Sequence, residues 1–174
     1  MGGSAMLVIF SGLPGTGKTS IARELARQIG AVYLRIDSLE QALRRCKPEV
    51  FDWKDTGYQA AYALAEDNLR LGRTVVADSV NPIAITRDAW LDVSRRAGTK
   101  ALEVEIVCAD KDEHRRRVET RRSDICGLRL PNWQEIVARR YSQWDREHRV
   151  IDSATCGVAQ SVKLVQEWIR QSGV

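Results

Sequence analysis

The sequence is poor in the residues that hold small secreted domains and zinc sites together. Its 174 residues include four cysteines and two histidines. No two cysteines form a C-x-x-C motif, and the histidines complete no zinc-binding pattern with them. These residues are Cys46, Cys108, Cys126, Cys156, His114 and His148. Their scarcity argues against a disulfide scaffold and a structural zinc site, and we expect reduced thiols in a cytoplasmic protein.

The chain also lacks long hydrophobic runs, repeats and linkers. No apolar stretch approaches the roughly 18 to 20 residues that a membrane-spanning helix needs, so we expect no membrane contact. Residues 1–5 carry neither the charged nor the apolar region of a signal peptide, and we interpret them as an added leader before a natural start at Met6. We expect residues 6–174 to form a single domain, as a monomer or a homodimer.

An acidic excess is absent as well, because the net charge is +4. A basic balance is compatible with a polyanionic partner such as nucleic acid. An enzyme that handles ATP also needs basic residues around the phosphates. The net charge therefore leaves both classes of protein open.

Short apolar runs alternate with amphipathic segments along the whole chain. The run MLVIFS is suited to a strand buried on both faces, and the segment after it has apolar residues at helical spacing. Strands are predicted at residues 6–11, 31–36, 73–78, 101–107 and 149–152, with a helix after each one. The pattern predicts an α/β fold, with a parallel five-stranded sheet between two layers of helices and ligands at the carboxyl ends of the strands.

Two local features of this pattern are more specific. Asn81 is expected to cap the helix after the third strand, with Pro82 as the first helical residue. In the fourth strand Glu103 and Glu105 alternate with apolar residues, which indicates that one face of this strand is partly in contact with water.

The first strand is followed by GLPGTGKTS, which contains the phosphate-loop pattern G-x-x-x-x-G-K-[ST]. Glycines allow the backbone to turn and aim its N–H groups at phosphate oxygens, and the following helix N-terminus favours an anion. Lys18 is expected to reach the β- and γ-phosphates of ATP or GTP, and the Thr19 hydroxyl to ligate Mg²⁺. The expected nucleotide-binding residues are Gly12, Leu13, Pro14, Gly15, Thr16, Gly17, Lys18, Thr19 and Ser20.

Carboxylates follow the second and third strands. Asp78 ends the third strand, where it is expected to hold Mg²⁺ beside Thr19; the alternative is a cap for the next turn. Asp37 ends the second strand and is a candidate general base for a hydroxyl nucleophile. The alternative is that Asp37 or Ser38 caps the next helix, with a capping box completed three residues on. Asn81 is a weaker candidate for contact with the acceptor substrate.

A helix rich in arginine is expected after the fourth strand. The segment DKDEHRRRVETRRSD places Arg117 and Arg121 four residues apart, on one helical face. Residues 110–131 are suited to a lid over ATP, with these two arginines stabilising charge on the transferring phosphoryl group. The alternative is a solvated surface of arginines paired with Asp112, Glu113 and Glu119.

The segment between the second and third strands carries aromatic and acidic side chains. They are candidates for an acceptor pocket, or they pack as an ordinary loop and helix. The residues are Phe51, Asp52, Trp53, Asp55, Tyr58 and Tyr62.

With GLPGTGKTS, RIDSL, VVADSVN and the arginine helix in this order, the chain resembles the small P-loop kinases grouped around polynucleotide 5′-kinase and chloramphenicol phosphotransferase. The resemblance implies the sheet order 2-3-1-4-5 and a mobile lid. It also implies that Asp37 is the base, that Asp78 and Asn81 form an Asp-x-x-Asn motif, and that Arg117 and Arg121 are lid arginines. The FDWKD segment matches neither relative, so the acceptor stays open.

The sequence as a whole favours an ATP-dependent phosphotransferase that acts on a hydroxyl of a small molecule, with Mg²⁺ as cofactor. The alternative acceptor is the 5′-hydroxyl of RNA or DNA. A nucleotide-operated switch is a remote alternative, because the Asn-Lys-x-Asp motif that selects guanine is missing: no asparagine (Asn68, Asn81, Asn132) precedes a lysine.

Overall fold

A computed structural model describes residues 5–46 and 55–173 of the chain. The strands are β1 (Met6–Ser11), β2 (Val32–Arg35), β3 (Val75–Asp78), β4 (Lys100–Val107) and β5 (Arg149–Asp152). The helices are α1 (Lys18–Ile29), α2 (Ile36–Cys46), α3 (Thr56–Arg70), α4 (Ala84–Arg96), α5 (Lys111–Thr120), α6 (Trp133–Val137) and α7 (Val158–Gln171). Phe51, Asp52 and Trp53, which were candidates for an acceptor pocket, lie outside the described residues.

The strands form one parallel sheet in the order β2-β3-β1-β4-β5, which confirms the expected topology. All six residues of β1 are buried, as its unbroken apolar run predicts for a central strand covered on both faces. Across the sheet Asp78 is in register with Phe10 on one side and Arg35 on the other. This register brings the ends of β1, β2 and β3 to the same edge.

The two faces of β1 belong to two separate hydrophobic clusters. Met6, Val8 and Phe10 pack with α1 and α7, whereas Leu7 and Ile9 pack with α3 and α4. The period of two along the strand thus divides the core into two layers. The molecule is the three-layer α/β/α sandwich that the sequence predicts.

The face of β4 that carries Glu103 and Glu105 is less exposed to water than its alternating pattern indicates. Glu103 is only 9% exposed and accepts two hydrogen bonds from Arg146, at 2.8 and 3.1 Å. Glu105 lies 3.0 Å from His148 Nε2. Arg146 and His148 therefore cover much of this face, so that Glu103 is buried and Glu105 is only partly exposed.

Asn81 does not cap a helix. Helix α4 begins at Ala84 with Ile83 at the cap position, so Pro82 is not its first residue either. Asn81 is fully buried and its φ is 47°, in the left-handed region that asparagine tolerates better than most residues. Its Nδ2 donates to Phe10 O (3.3 Å) and Ser11 Oγ (3.0 Å), and its Oδ1 accepts from Trp90 Nε1 (3.2 Å). Asn81 therefore ties α4 to the end of β1 and is not accessible to an acceptor.

No helix within residues 5–46 and 55–173 is long and apolar enough to cross a bilayer. The four cysteines, all in these ranges, are free, with Cys46 and Cys126 exposed and Cys108 buried.

Asn81 yields a stability prediction. We expect Asn81→Ala to lower the free energy of unfolding by about 3 kcal/mol, because it leaves the buried Trp90 N–H unpaired and strains the backbone. Asn81→Gly should lose about 1 kcal/mol less, since glycine accepts the positive φ. Urea unfolding followed by tryptophan fluorescence measures both. Asn68→Ala on the surface of α3 is the control, and equal losses for all three variants would contradict the assignment.

Candidate active site

The loop between β1 and α1 is shaped by close packing at two glycines. Gly12 has a φ of 140°, and a Cβ on it would lie 2.3 Å from the Ile106 carbonyl oxygen in β4. Gly15 has a φ of 89°, and a Cβ there would lie 2.5 Å from Val118 Cγ2 in α5. Neither position has room for a larger residue, so the glycine spacing of the motif is matched by the packing around it.

The loop leads into a helix N-terminus without a side-chain cap. Gly17 occupies the cap position of α1 and no side chain accepts from the first turn. Backbone N–H groups at an uncapped N-terminus are suited to an anion. On the opposite side of the loop, His114 Nε2 lies 2.9 Å from the carbonyl oxygen of Pro14, so α5 contacts the loop.

Lys18 and Asp78 form a buried ion pair below the loop. Lys18 Nζ lies 3.0 Å from Asp78 Oδ1, and Tyr33 donates to Asp78 Oδ2 at 2.7 Å. Burial by itself would raise the pKa of Asp78, but the charge of Lys18 and hydrogen bonds from Tyr33, Lys18 and Thr19 outweigh it and lower the pKa. Asp78 is therefore an anion with its oxygens next to Thr19.

Thr19 and Asp78 fit the needs of a magnesium ion bound together with a nucleotide. Mg²⁺ takes oxygen ligands and is held mostly by one or two protein groups plus phosphates and water. The Thr19 hydroxyl and the Asp78 carboxylate are such oxygens. In the described part of the chain no group of three or more His, Cys, Asp or Glu side chains could hold a metal alone.

Asp37 lies in the first turn of α2, one residue after the start of the helix at Ile36. It is therefore inside the helix, and the expectation that it caps α2 is wrong. Its carboxylate is half exposed, and its Oδ2 lies 3.9 Å from an Arg35 guanidinium nitrogen. Arg35 is 12% exposed at the side chain and its Nε also lies 4.0 Å from Asp78 Oδ2. Arg35 thus lies between the two carboxylates.

The arginine-rich helix has two kinds of arginine. Arg115 and Arg116 are exposed and pair with Glu119 and Glu113, as the alternative of a solvated surface predicts. Arg117 also bonds Glu113, but its other nitrogens donate to Ser153 Oγ (2.9 Å) and Ser153 O (3.1 Å) after β5. Hydrogen bonds from Arg116 and then Arg117 lower the pKa of Glu113 to about 2.

Arg121 follows the last turn of α5. Its guanidinium donates to Pro131 O at 3.2 Å, and its Nε is buried without a partner. Arg117 and Arg121 both line the cavity described below, but Arg121 lies beyond the end of α5 in extended backbone, so the prediction that they share one helical face is wrong.

Two contacts hold the segment after α5 over the rest of the site. The Asp124 carboxylate accepts from Arg35 (2.8 Å) and from Arg23. The carbonyl of Cys126 accepts from Arg45 and from Gln41 (3.4 Å) on α2. The segment, which belongs to the expected lid, therefore rests on both α1 and α2.

A cavity of about 630 Å³ lies between the loop, α2 and this segment. It brings together Lys18, Thr19, Asp37, Arg117 and Arg121, whereas Asp78 lies beneath it. Its positively charged side chains are Lys18 and nine arginines, which are Arg23, Arg35, Arg44, Arg116, Arg117, Arg121, Arg122, Arg129 and Arg139. Its negatively charged side chains are only three, Asp37, Glu40 and Asp124.

Tyr58 and Tyr62 do not line this cavity. Tyr62 is buried edge-on against Trp90, with 4.7 Å between ring centroids, and Tyr58 Oη accepts from Asn81 N at 3.3 Å. Tyr62 belongs to the core and Tyr58 packs against it, so the structure favours the alternative in which these two residues pack as an ordinary helix.

Several residues of the site carry no sequence motif. Tyr33, Arg35, His114 and Asp124 act on partners that are distant along the chain. Only the alignment of strand ends and the fold of the lid bring them into place. A sequence pattern at fixed spacing has no means to identify them.

The Asp124 contacts give a prediction about pH. The Arg35 hydrogen bond is the main cause that lowers the pKa of Asp124 to about 2, with help from Arg23. Such a carboxylate stabilises the closed lid above its usual pKa of about 4, and the stabilisation is lost as the pH falls through 2. At pH 7 we expect faster amide hydrogen exchange over residues 121–131 in Asp124→Asn than in the wild type.

The difference should shrink as the pH falls from about 4 towards 2, because the wild-type carboxyl then becomes protonated. Glu167→Gln, a change of an exposed carboxylate on α7, is the control. Equal exchange in Asp124→Asn and the wild type at pH 7 would contradict the role of Asp124.

Comparison with known proteins gives the family of this site. Residues 7–143 match the model of an AAA domain family, AAA_33. Curated relatives from Mycobacterium tuberculosis strain H37Rv and Mycobacterium bovis, both uncharacterized proteins, are 26% identical over 163 residues, which cover 83% of this chain. The match covers 31% of each relative, so the chain spans about a third of their length.

Solved structures share the fold over nearly the whole chain. The APS kinase CysC of Mycobacterium tuberculosis, in complex with AMPPNP and APS, has a TM-score of 0.73 and 19% identity, covering 97% of this chain and 99% of its own. Kti12 of Chaetomium thermophilum, in complex with ADP-AlF3, has a TM-score of 0.64 and 22% identity, covering 94% of this chain and 98% of its own. A gluconokinase of Sinorhizobium meliloti has a TM-score of 0.62 and 15% identity, covering 98% of this chain and 93% of its own. The chain therefore belongs to the AAA domain family and has the fold of the small P-loop kinases.

Proposed function

We propose that the protein is an ATP-dependent phosphotransferase that moves the γ-phosphoryl group to a hydroxyl of a small molecule. The observation that carries the proposal is that Asp37 and Lys18 line one continuous cavity under a closed lid. A nucleotide-binding switch has no use for space that extends from the phosphate loop to a carboxylate such as Asp37. The APS kinase and gluconokinase that share the fold support a small acceptor.

In the proposed reaction the acceptor oxygen attacks the γ-phosphorus, and the bond from phosphorus to the β–γ bridging oxygen breaks. The hydroxyl proton passes to a carboxylate oxygen of Asp37, leaving ADP and a phosphate ester. Arg35, with a guanidinium nitrogen 3.9 Å from Asp37 Oδ2, orients this carboxylate. Asp37 is half exposed, and it lines the cavity where the hydroxyl would bind.

Positive charge supplies the remaining catalysis. Lys18 would exchange Asp78 for the β- and γ-phosphates, and the backbone N–H groups of residues 12–20 would hold the triphosphate. Arg117 would stabilise the charge that develops on the transferring group. Magnesium bound at Thr19 and Asp78 would neutralise the phosphate oxygens.

The free cysteines support our placement of the protein in the cytoplasm.

A 5′-hydroxyl of RNA or DNA is the second candidate acceptor. The excess of arginine in the cavity favours it, because a polynucleotide carries one negative charge per nucleotide. Such an acceptor must leave the cavity past the lid, whereas a small molecule fits within it.

The experiment that tests the function follows the label from γ-labelled ATP with Mg²⁺. The panel of acceptors consists of pairs in which only the second member is an anion. The pairs are glycerol and glycerate, sorbitol and gluconate, and nucleosides and 5′-hydroxyl oligonucleotides. We expect label on a small molecule. Label on oligonucleotide ends alone would support the second candidate, and tight ATP binding with no transfer to any alcohol would argue for a switch.

Asp37→Asn tests the base. We expect turnover to fall by about 100-fold or more with ATP affinity nearly unchanged, because the amide cannot take the proton and does not touch the nucleotide. Lys18→Ala is the contrasting variant, in which ATP binding and turnover should weaken together. Steady-state kinetics and nucleotide titration separate the two effects. Undiminished turnover in Asp37→Asn would refute the assignment of the base.

A further inference from the structure

The order of the strands places the arginines around the cavity on two different sides of it. Arg117 reaches Ser153, just after β5 at one edge of the sheet. Asp37 follows β2 at the other edge, and Arg121 is close enough for the Asp37 charge to act on it. The phosphate loop follows β1, the central strand. Arg117 therefore serves the nucleotide side, and Arg121 lies on the acceptor side.

Most arginines of the cavity wall have an acidic partner. Arg23 and Arg35 pair with Asp124, Arg44 with Glu40, Arg116 and Arg117 with Glu113, and Arg129 with Glu135. Among the described residues Arg121, Arg122 and Arg139 have no carboxylate within 4.0 Å. In the described part of the chain, the acceptor half of the cavity thus has arginines without a carboxylate in direct contact, although the charges of Asp37 and Glu40 act on Arg121 and Arg139.

Arg121 is the most confined of these. Its only side-chain hydrogen bond in the described chain is to Pro131 O, and its buried Nε has none. Burial lowers its pKa, Asp37 opposes this effect, and the positive charge of Arg139 adds to it. Burying a guanidinium with one N–H donor unpaired and another positive charge nearby costs free energy unless an anion binds there.

We propose that Arg121 and Arg139 form a subsite for an oxyanion of the acceptor, so that the substrate is a hydroxy compound bearing a phosphate, sulfate or carboxylate group. The inference rests on the proposed function, which supplies the hydroxyl and its position at Asp37. Nη1 of Arg121 makes no hydrogen bond in the described chain and is not among its buried unpaired atoms, so it can donate to an oxygen of such a group. Arg139 supplies the second charge. Binding the anion there would direct the hydroxyl of the same molecule towards Asp37.

The test uses protein saturated with Mg²⁺ and AMPPNP, so that the phosphate loop is filled and does not itself take up the added anion. Calorimetric titration with sulfate represents a phosphate or sulfate group, and titration with malonate represents a carboxylate. We expect saturable binding of at least one of them, and its identity distinguishes the two chemistries. Arg121→Gln and Arg139→Gln should each weaken this binding about tenfold or more, as the loss of a charge-assisted hydrogen bond implies.

Arg129→Gln is the matched control, because Arg129 lines the same cavity but pairs with Glu135, and it should bind the anion as the wild type does. If AMPPNP binds and neither anion does, or if both substitutions leave anion binding unchanged, the subsite is refuted while the proposed function stands. If AMPPNP does not bind, the proposed function fails and the subsite fails with it.

Discussion

The buried ion pair between Lys18 and Asp78 is the interaction on which the rest of the site depends. Both side chains are nearly inaccessible, and two charges are costly to remove from water unless each has further partners. Tyr33 and Thr19 supply those partners for Asp78. The pair holds the phosphate-loop lysine and the carboxylate of Asp78 in place without a nucleotide. In the proposed reaction each would exchange its protein partner for a phosphate oxygen or a metal ion, so neither charge would be left alone.

This pair exists because of the sheet. Parallel strands place all their carboxyl ends at one edge, and the order β2-β3-β1-β4-β5 puts Asp78 directly beside the strand that leads into the phosphate loop. The same register puts Arg35 on the other side of Asp78, and β2 leads straight into α2, where Asp37 is the second residue and lines the cavity. In the proposed reaction these three strand ends would supply an anchor for phosphate, a metal ligand and a base. No long loop is needed to position them.

The parts of the structure that the sequence predicts are those that local physics determines. The phosphate loop is recognisable because its glycine positions and its lysine are fixed by a backbone turn of nine residues. The strands and most helices are recognisable from hydrophobic periodicity. Asp110 and Asn132 cap α5 and α6, as side chains of this type commonly do at a helix N-terminus.

The errors involve residues whose role depends on distant partners. Asn81 has the sequence context of a helix cap, but the buried N–H of Trp90 and the carbonyl of Phe10 determine its conformation. Glu103 follows the pattern of an exposed position in a strand, yet Arg146, more than forty residues later, covers it. Asp124 has no motif, although it is the residue that joins the lid to α1 and β2.

The lid connects the two halves of the proposed reaction. Helix α5 touches the phosphate loop through His114 and Val118 and reaches the β5 side through Arg117. The segment that follows carries Arg121 to the acceptor side and Asp124 to Arg35, the neighbour of the base. Since one continuous segment makes all these contacts, a lid that opens releases nucleotide-side and acceptor-side charges together. Closure with both substrates bound would therefore assemble the phosphate contacts and exclude water in one step, which limits loss of the phosphoryl group to hydrolysis.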